Sequence, residues 1–150
     1  MSTDDTNILG RVTIETLEQF AFLLGDPPDV NPPSAMPSTA WVVRLIFSGP
    51  RTGKLGMATT PCLARQMAAN LFGIERDDVS DEQAVDALKE LLNVTCGDYL
   101  HEIEGNTPIY DLSAPTISSV DDLTLQTQLA GWPQVALNVE GQPLFVFLGA

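Results

Sequence analysis

One run of residues constrains this chain more than any other, Ser80 to Gly105. Ser80-Asp81-Glu82-Gln83 reads as a capping box, in which a serine hydroxyl and a glutamine amide each satisfy an exposed backbone N–H at a helix start. The acidic residues of that first turn also suit the positive end of the helix dipole. The spacing predicts a helix running from there to about residue 103, with Gly105 and Pro108 ending it. At about 100° per residue, Val85, Leu88, Leu92, Cys96 and Tyr99 share one side. That side must be buried, so the rest of the chain has to supply a surface to cover it.

The other elements supply a sheet. Residues 11–24 read as a first helix with Val12, Leu17, Phe20, Ala21 and Leu24 on its apolar side, stopped by Gly25 and Pro27-Pro28. Residues 25–38 carry five prolines and read as an irregular connector. A strand at 40–48, a turn through Gly49-Pro50-Arg51-Thr52-Gly53 and a strand near 54–59 follow. Thr60-Pro61 then places an N-cap and a first-position proline before a helix ending at Gly73. Strands are expected at 108–112, 123–130, 134–140 and 143–148, the last two joined by a short turn at Glu140-Gly141-Gln142. The expected class is α+β, helices packed on a largely antiparallel sheet, with residues 1–10 a flexible N-terminus and 11–150 a single domain.

Composition excludes several functions. Twenty Asp and Glu stand against seven Lys and Arg, a formal net charge of −13. Phosphate binding needs clustered basic residues, so nucleic acid and anionic membrane are poor partners. A basic or cation-bearing protein partner, or solubility alone, fits this balance. No apolar run approaches the length of a membrane span, and the acidic start MSTDDTNILG is not a signal peptide. The cytoplasm is the expected compartment. Cys62 and Cys96 read as reduced thiols in apolar helical settings and, with His101, are too few and wrongly spaced for a structural zinc site. Trp41 and Trp132 are expected to pack.

On the long helix, Asp86, Glu90, Asn93 and Gly97 fall on one narrow stripe away from the apolar side. A carboxylate and an amide are thereby displayed together on a rigid element. Polar outer faces are the rule for helices, so this spacing alone does not separate a working surface from ordinary solvated surface.

Asp86-x-x-x-Glu90-x-x-Asn93 followed by Gly97 resembles the active-site motif of the CheC/CheX/FliY phosphatases of bacterial chemotaxis. The stretches FSGPRTGKLGMATT, ANLFGI, DALKELLNVTCGDYL and PTISSV extend the resemblance over residues 11–148, closest to the CheX-like branch. The resemblance implies an enzyme that hydrolyses the aspartyl phosphate of a response regulator such as CheY. Asn93 would orient the attacking water, and Glu90 would dock on the lysine beside the phosphorylated aspartate. Asp86 and Gly97 would meet the partner, Gly97 by leaving a patch without a side chain. The magnesium would belong to the receiver, so no metal or cofactor of this chain's own is expected. CheC-type proteins carry two motifs, but here Glu18-Gln19-Phe20-Ala21 puts alanine at the amide position and Glu15-x-x-Glu18 also fails. One site, and by resemblance a homodimer, is the CheX pattern.

A phosphate-loop reading of GPRTGKL fails on spacing, because three residues separate Gly49 from Gly53 and Leu55 stands where Ser or Thr is required. Two other readings stay open: a non-catalytic module that docks a receiver domain or a flagellar component, and an acidic α+β scaffold in which the motif is coincidence.

Overall fold

The computed structural model describes residues 3–105 and 109–149. In chain order the elements are α1 (Thr3–Ala21), β1 (Ala40–Ser48), β2 (Thr52–Thr59), α2 (Pro61–Phe72), α3 (Asp81–Glu104), β3 (Asp111–Leu112), β4 (Thr116–Val120), α4 (Asp122–Leu129), β5 (Gln134–Val139) and β6 (Gln142–Gly149). A single 3-10 turn, Arg76–Asp78, leads from α2 toward α3. The strands form one antiparallel sheet in the order β3-β1-β2-β6-β5, with β4 also pairing β1.

Strand alternation divides the core between two faces. Val43, Leu45 and Phe47 of β1, Leu55 and Met57 of β2, and Leu144, Val146 and Leu148 of β6 point to the side covered by α1, α2 and α3. The intervening Val42, Ala58, Phe145 and Phe147 point to the other side, where Leu125 and Leu129 of α4 and Met36 of the proline-rich connector cover them. A strand covered on both faces reads as an unbroken apolar run, and β6 is buried from Pro143 to Gly149 for that reason. The Phe147 ring fills the space beside Gly56 that an added Cβ would need.

The first helix departs from expectation at both ends. It starts at Thr3, so residues 3–10, placed ahead of the expected helix start at 11, are helical. Leu9 is fully buried and extends the apolar stripe of Val12 and Leu17 back by one turn. The helix closes at Ala21, with Phe22 in the left-handed region at φ 54° and the Leu23 N–H donating to Leu17 O at 3.1 Å. Phenylalanine thus takes the left-handed position that glycine usually fills at a helix end, and the closing bond reaches six residues back, one more than in the Schellman motif. Leu24, expected on the apolar side, is 65% exposed, and Phe22 is 68% exposed.

The segment 123–130 is helical rather than extended. Its alternating leucines mimic a strand, but Asp121 caps a helix by accepting from the Thr124 backbone N–H at 2.7 Å. Leu125 and Leu129, one turn apart, are buried, while Leu123 is 76% exposed. The leucine spacing therefore served period 3.6 and not period 2. The strand expected at 108–112 is Asp111–Leu112; Pro108 lies outside the described residues. β4 was not anticipated. Phe47 pairs Leu112 whereas Arg44 pairs Thr116, so β3 and β4 are one edge strand carrying an extra residue, a bulge at 113–115. The remaining elements match: Thr60 and Gly73 cap α2, Gly105 at φ 80° ends α3, and Glu140-Gly141, both at positive φ, turn β5 into β6.

Candidate active site

α3 holds the stripe. Both halves of the capping box form: Gln83 N–H donates to Ser80 Oγ at 3.1 Å, and Ser80 N–H donates to Gln83 Oε1 at 3.0 Å. Leu88, Leu91, Leu92, Thr95, Cys96 and Tyr99 are buried against the sheet and the neighbouring helices; Val85, placed with them, is half-buried. Arg11 Nη2 reaches Glu102 at 2.6 Å, and Thr16 Oγ1 reaches Asp98 Oδ2 at 3.2 Å, so α1 lies antiparallel along α3. At its far end, Arg51 of the β1–β2 turn pairs with Glu104 at 2.9 Å. The helix is thus fixed along its length before any partner meets it.

On the outward side, Asp86, Glu90 and Gly97 are exposed and Asn93 is half-buried. Among the described residues, no hydrogen bond or ion pair engages the side chains of Asp86, Glu90 or Asn93. A methyl group at Gly97 would meet no atom within 4 Å, so packing does not require glycine there. Glycine inside a helix costs about 0.5–1 kcal/mol relative to alanine. The four residues that were singled out are therefore brought together, as a polar strip along the outer face of α3 with its donors and acceptors unspent.

Lys89 adjoins this strip and was not singled out. It is half-buried and has no hydrogen-bond or ion-pair partner among the described residues. Its position one turn before Asn93 is the signal that would have found it.

The strip is the outer face of a helix rather than a cleft. Clefts occur elsewhere, one lined by Gln66, Asn70 and Arg76 and another by Arg44, Ile46 and Lys54. A convex polar strip suits the surface of another macromolecule, whereas small ligands are held in concave, mostly apolar sites. On α1, Glu15 and Glu18 are exposed but Ala21 is fully buried, so no amide stands one turn beyond Glu18.

The other candidate chemistry disperses. Cys96 is buried, and burial pushes its thiol up to about 12, which keeps it protonated at neutral pH. Cys62 is half-buried rather than apolar-packed, with Arg76 Nη1 3.6 Å from its sulfur. Among the described residues, no group of three or more His, Cys, Asp or Glu side chains converges on a metal site. Lys54 lies within β2 opposite Ile46 and Gly149, so GPRTGKL is a hairpin and not a phosphate loop. Among the described residues, no helix is long and apolar enough to cross a membrane.

Comparison with known proteins agrees with the fold. The chain resembles a chemotaxis protein CheX from Desulfovibrio desulfuricans at 13% identity and TM-score 0.68, covering 97% of each chain. It resembles CheX from Vibrio vulnificus at 14% identity and TM-score 0.70, covering 98% of this chain and 96% of that one. It also resembles a chain of the CheX–CheY–BeF3–Mg complex from Borrelia burgdorferi at 14% identity and TM-score 0.63, covering 99% of this chain and 98% of that one. Comparison with curated protein sequences gives no match. The family described as chemotaxis phosphatase CheX matches residues 42–137, which include α3 and its whole strip. The chain belongs to the CheX chemotaxis phosphatase family.

Proposed function

We propose that this chain hydrolyses the aspartyl phosphate of a CheY-type receiver domain, using the strip on α3. The observation that carries the reading is Glu90 and Asn93 one turn apart on a rigidly held helix, with their side chains unpartnered. In the reaction, a water oxygen bonds to phosphorus as the bond from phosphorus to the aspartyl oxygen breaks. The bonding pair returns to the carboxylate and the water's protons leave with inorganic phosphate. Such transition states are loose, so placing the water and compensating charge matter more than a strong base. The Asn93 carboxamide offers an acceptor and donors at fixed angles and does not titrate, which suits it to hold that water in line. Glu90 supplies a carboxylate for the receiver's lysine and sets register. Asp86 lies at the rim, and Gly97 lets the receiver approach the helix backbone. Family membership supports the substrate class, and so does the Borrelia relative, whose structure was solved as a complex with CheY. In this reading the chain acts in the cytoplasm as a homodimer, and the magnesium is the receiver's.

The test follows phosphate loss from a phosphorylated CheY-type receiver with no addition, with the native chain and with Asn93→Ala. Faster loss with the native chain alone is the expected result, since removing one preorganised catalytic group costs roughly 100-fold or more. Decay left unchanged by the native chain against its own organism's receivers sinks the reading. Receiver binding without turnover would then mark a docking module.

A further inference from the structure

The strip holds one positive charge that the water-positioning role of Asn93 and the docking role of Glu90 leave unused. α3 carries seven carboxylates, Asp81, Glu82, Asp86, Glu90, Asp98, Glu102 and Glu104, against a single lysine, Lys89. On so acidic a helix a solvated lysine readily pairs with a carboxylate three or four residues away. Asp86 is at that spacing, yet the two lie beyond ion-pair distance, and no other described residue partners Lys89. Of the other basic residues, Arg11, Arg51 and Arg65 form ion pairs, Arg44 donates to Gln128 and lies over the Phe147 ring, and Arg76 donates to the Cys62 sulfur, while Lys54 on β2, beside Arg44 and Ile46, has no ion pair among the described residues.

Helical geometry gives the free charge a direction. Taking Asp86 as the origin and about 100° per residue, Lys89 lies near −60°, Asn93 near −20° and Glu90 near +40°. Asn93 therefore stands between a cation one turn below on one side and an anion one turn below on the other. Lys89 is half-buried as a residue, which limits how far its ammonium can swing away.

We infer that Lys89 is a further catalytic residue, whose ammonium contacts the phosphoryl oxygens of the receiver's aspartyl phosphate while Asn93 holds the water. This rests on the reading above. The group that approaches Asn93 is a phosphoryl dianion, and its transition state spreads negative charge over the non-bridging oxygens. Glu90 alone would repel that charge. A lysine on the opposite flank offsets the repulsion and adds stabilisation at the oxygens without taking or giving a proton. Glu90 and Lys89 would then read the receiver as a dipolar pair, one on its lysine and the other on its phosphoryl group.

The experiment compares the native chain, Asn93→Ala, Lys89→Met and Lys89→Arg in phosphate release from the phosphorylated receiver. Their affinities for the same receiver, unmodified and loaded with beryllofluoride and Mg2+, are measured alongside, with thermal unfolding. Lys89→Met is expected to release phosphate about tenfold more slowly than native, below the cost of a buried donor because solvent screens the site. It should also lose the preference for beryllofluoride-loaded receiver, while its affinity for unmodified receiver and its midpoint stay native. Lys89→Arg should recover most of the rate. A Lys89→Met rate equal to native, with Asn93→Ala inactive, overturns the role of Lys89 and leaves the phosphatase reading standing. Lys89→Arg as slow as Lys89→Met also overturns it, because charge is then not what the site uses. A native chain without activity overturns both.

Discussion

Asn93 stands one helical turn beyond Glu90 on the outer face of α3, half-buried where Glu90 is exposed, and neither side chain has a partner among the described residues. The difference in burial separates the two roles. Glu90→Gln keeps the shape and removes the charge, so it should weaken receiver binding by about tenfold at low ionic strength, with a gap that narrows as salt rises. Titration calorimetry at two salt concentrations checks this, and a gap independent of salt would contradict the docking role.

Gly97 makes stability and function pull apart. Nothing in the fold occupies the space beside it. Gly97→Ala should therefore raise the stability of the isolated chain by about 0.5–1 kcal/mol, an increase of roughly 1–4 °C in midpoint. The same variant should bind the receiver more weakly, because a methyl group then stands in the partner's path. Thermal unfolding and a binding titration on one preparation decide it; unchanged binding would make Gly97 a neutral surface position.

Gly56 is the opposite kind of glycine. Its absent side chain is filled by the Phe147 ring, which tilts against Trp132 at 5.7 Å between centroids. Gly56→Ala should destabilise the chain by about 1–3 kcal/mol, since the ring must leave its place in a packed layer. Denaturant unfolding with Phe147→Leu as the paired variant checks the cause: the double variant should recover part of the loss.

Asp121 should make α4 acid-sensitive. Hydrogen bonds from Thr124, its side chain first and then its backbone N–H, hold the Asp121 carboxyl below its ordinary value of 3.8. A lowered folded value stabilises above the unfolded value and is lost as pH falls through the folded one. Acid should therefore weaken the cover over Ala58, Phe145 and Phe147, and Asp121→Asn should remove that pH dependence. Hydrogen exchange of the α4 amides between neutral pH and pH 3 measures it.

How far each part was legible follows from how local its signal is. α3 and α2 were readable to within a residue or two because their caps are local: Ser80 with Gln83, Thr60 with Pro61, and the terminal Gly73 and Gly105. The strip on α3 was readable from the same periodicity, because a helix bounded at both ends sets which residues share a face. α4 was misread because L-T-L-Q-T-Q-L satisfies both periods, and only burial of Leu125 and Leu129 against Phe145 and Phe147 selects one. The start of α1 was missed because its polar first turn hides a stripe that continues to Leu9. β4 was missed because TISSV, an edge strand with a bulge before it, has weak alternation and takes its order from pairing with Trp41 and Val43.

The long capped helix, the polar strip upon it and the hairpins follow from residues within a few positions of one another, and the acidic charge follows from composition. Packing selected which face of the sheet α4 covers, joined β3 and β4 into one bulged edge, and left Lys89 unpaired where Arg11, Arg51 and Arg65 are paired. Those outcomes depend on distances between residues far apart in the chain, which no local pattern carries.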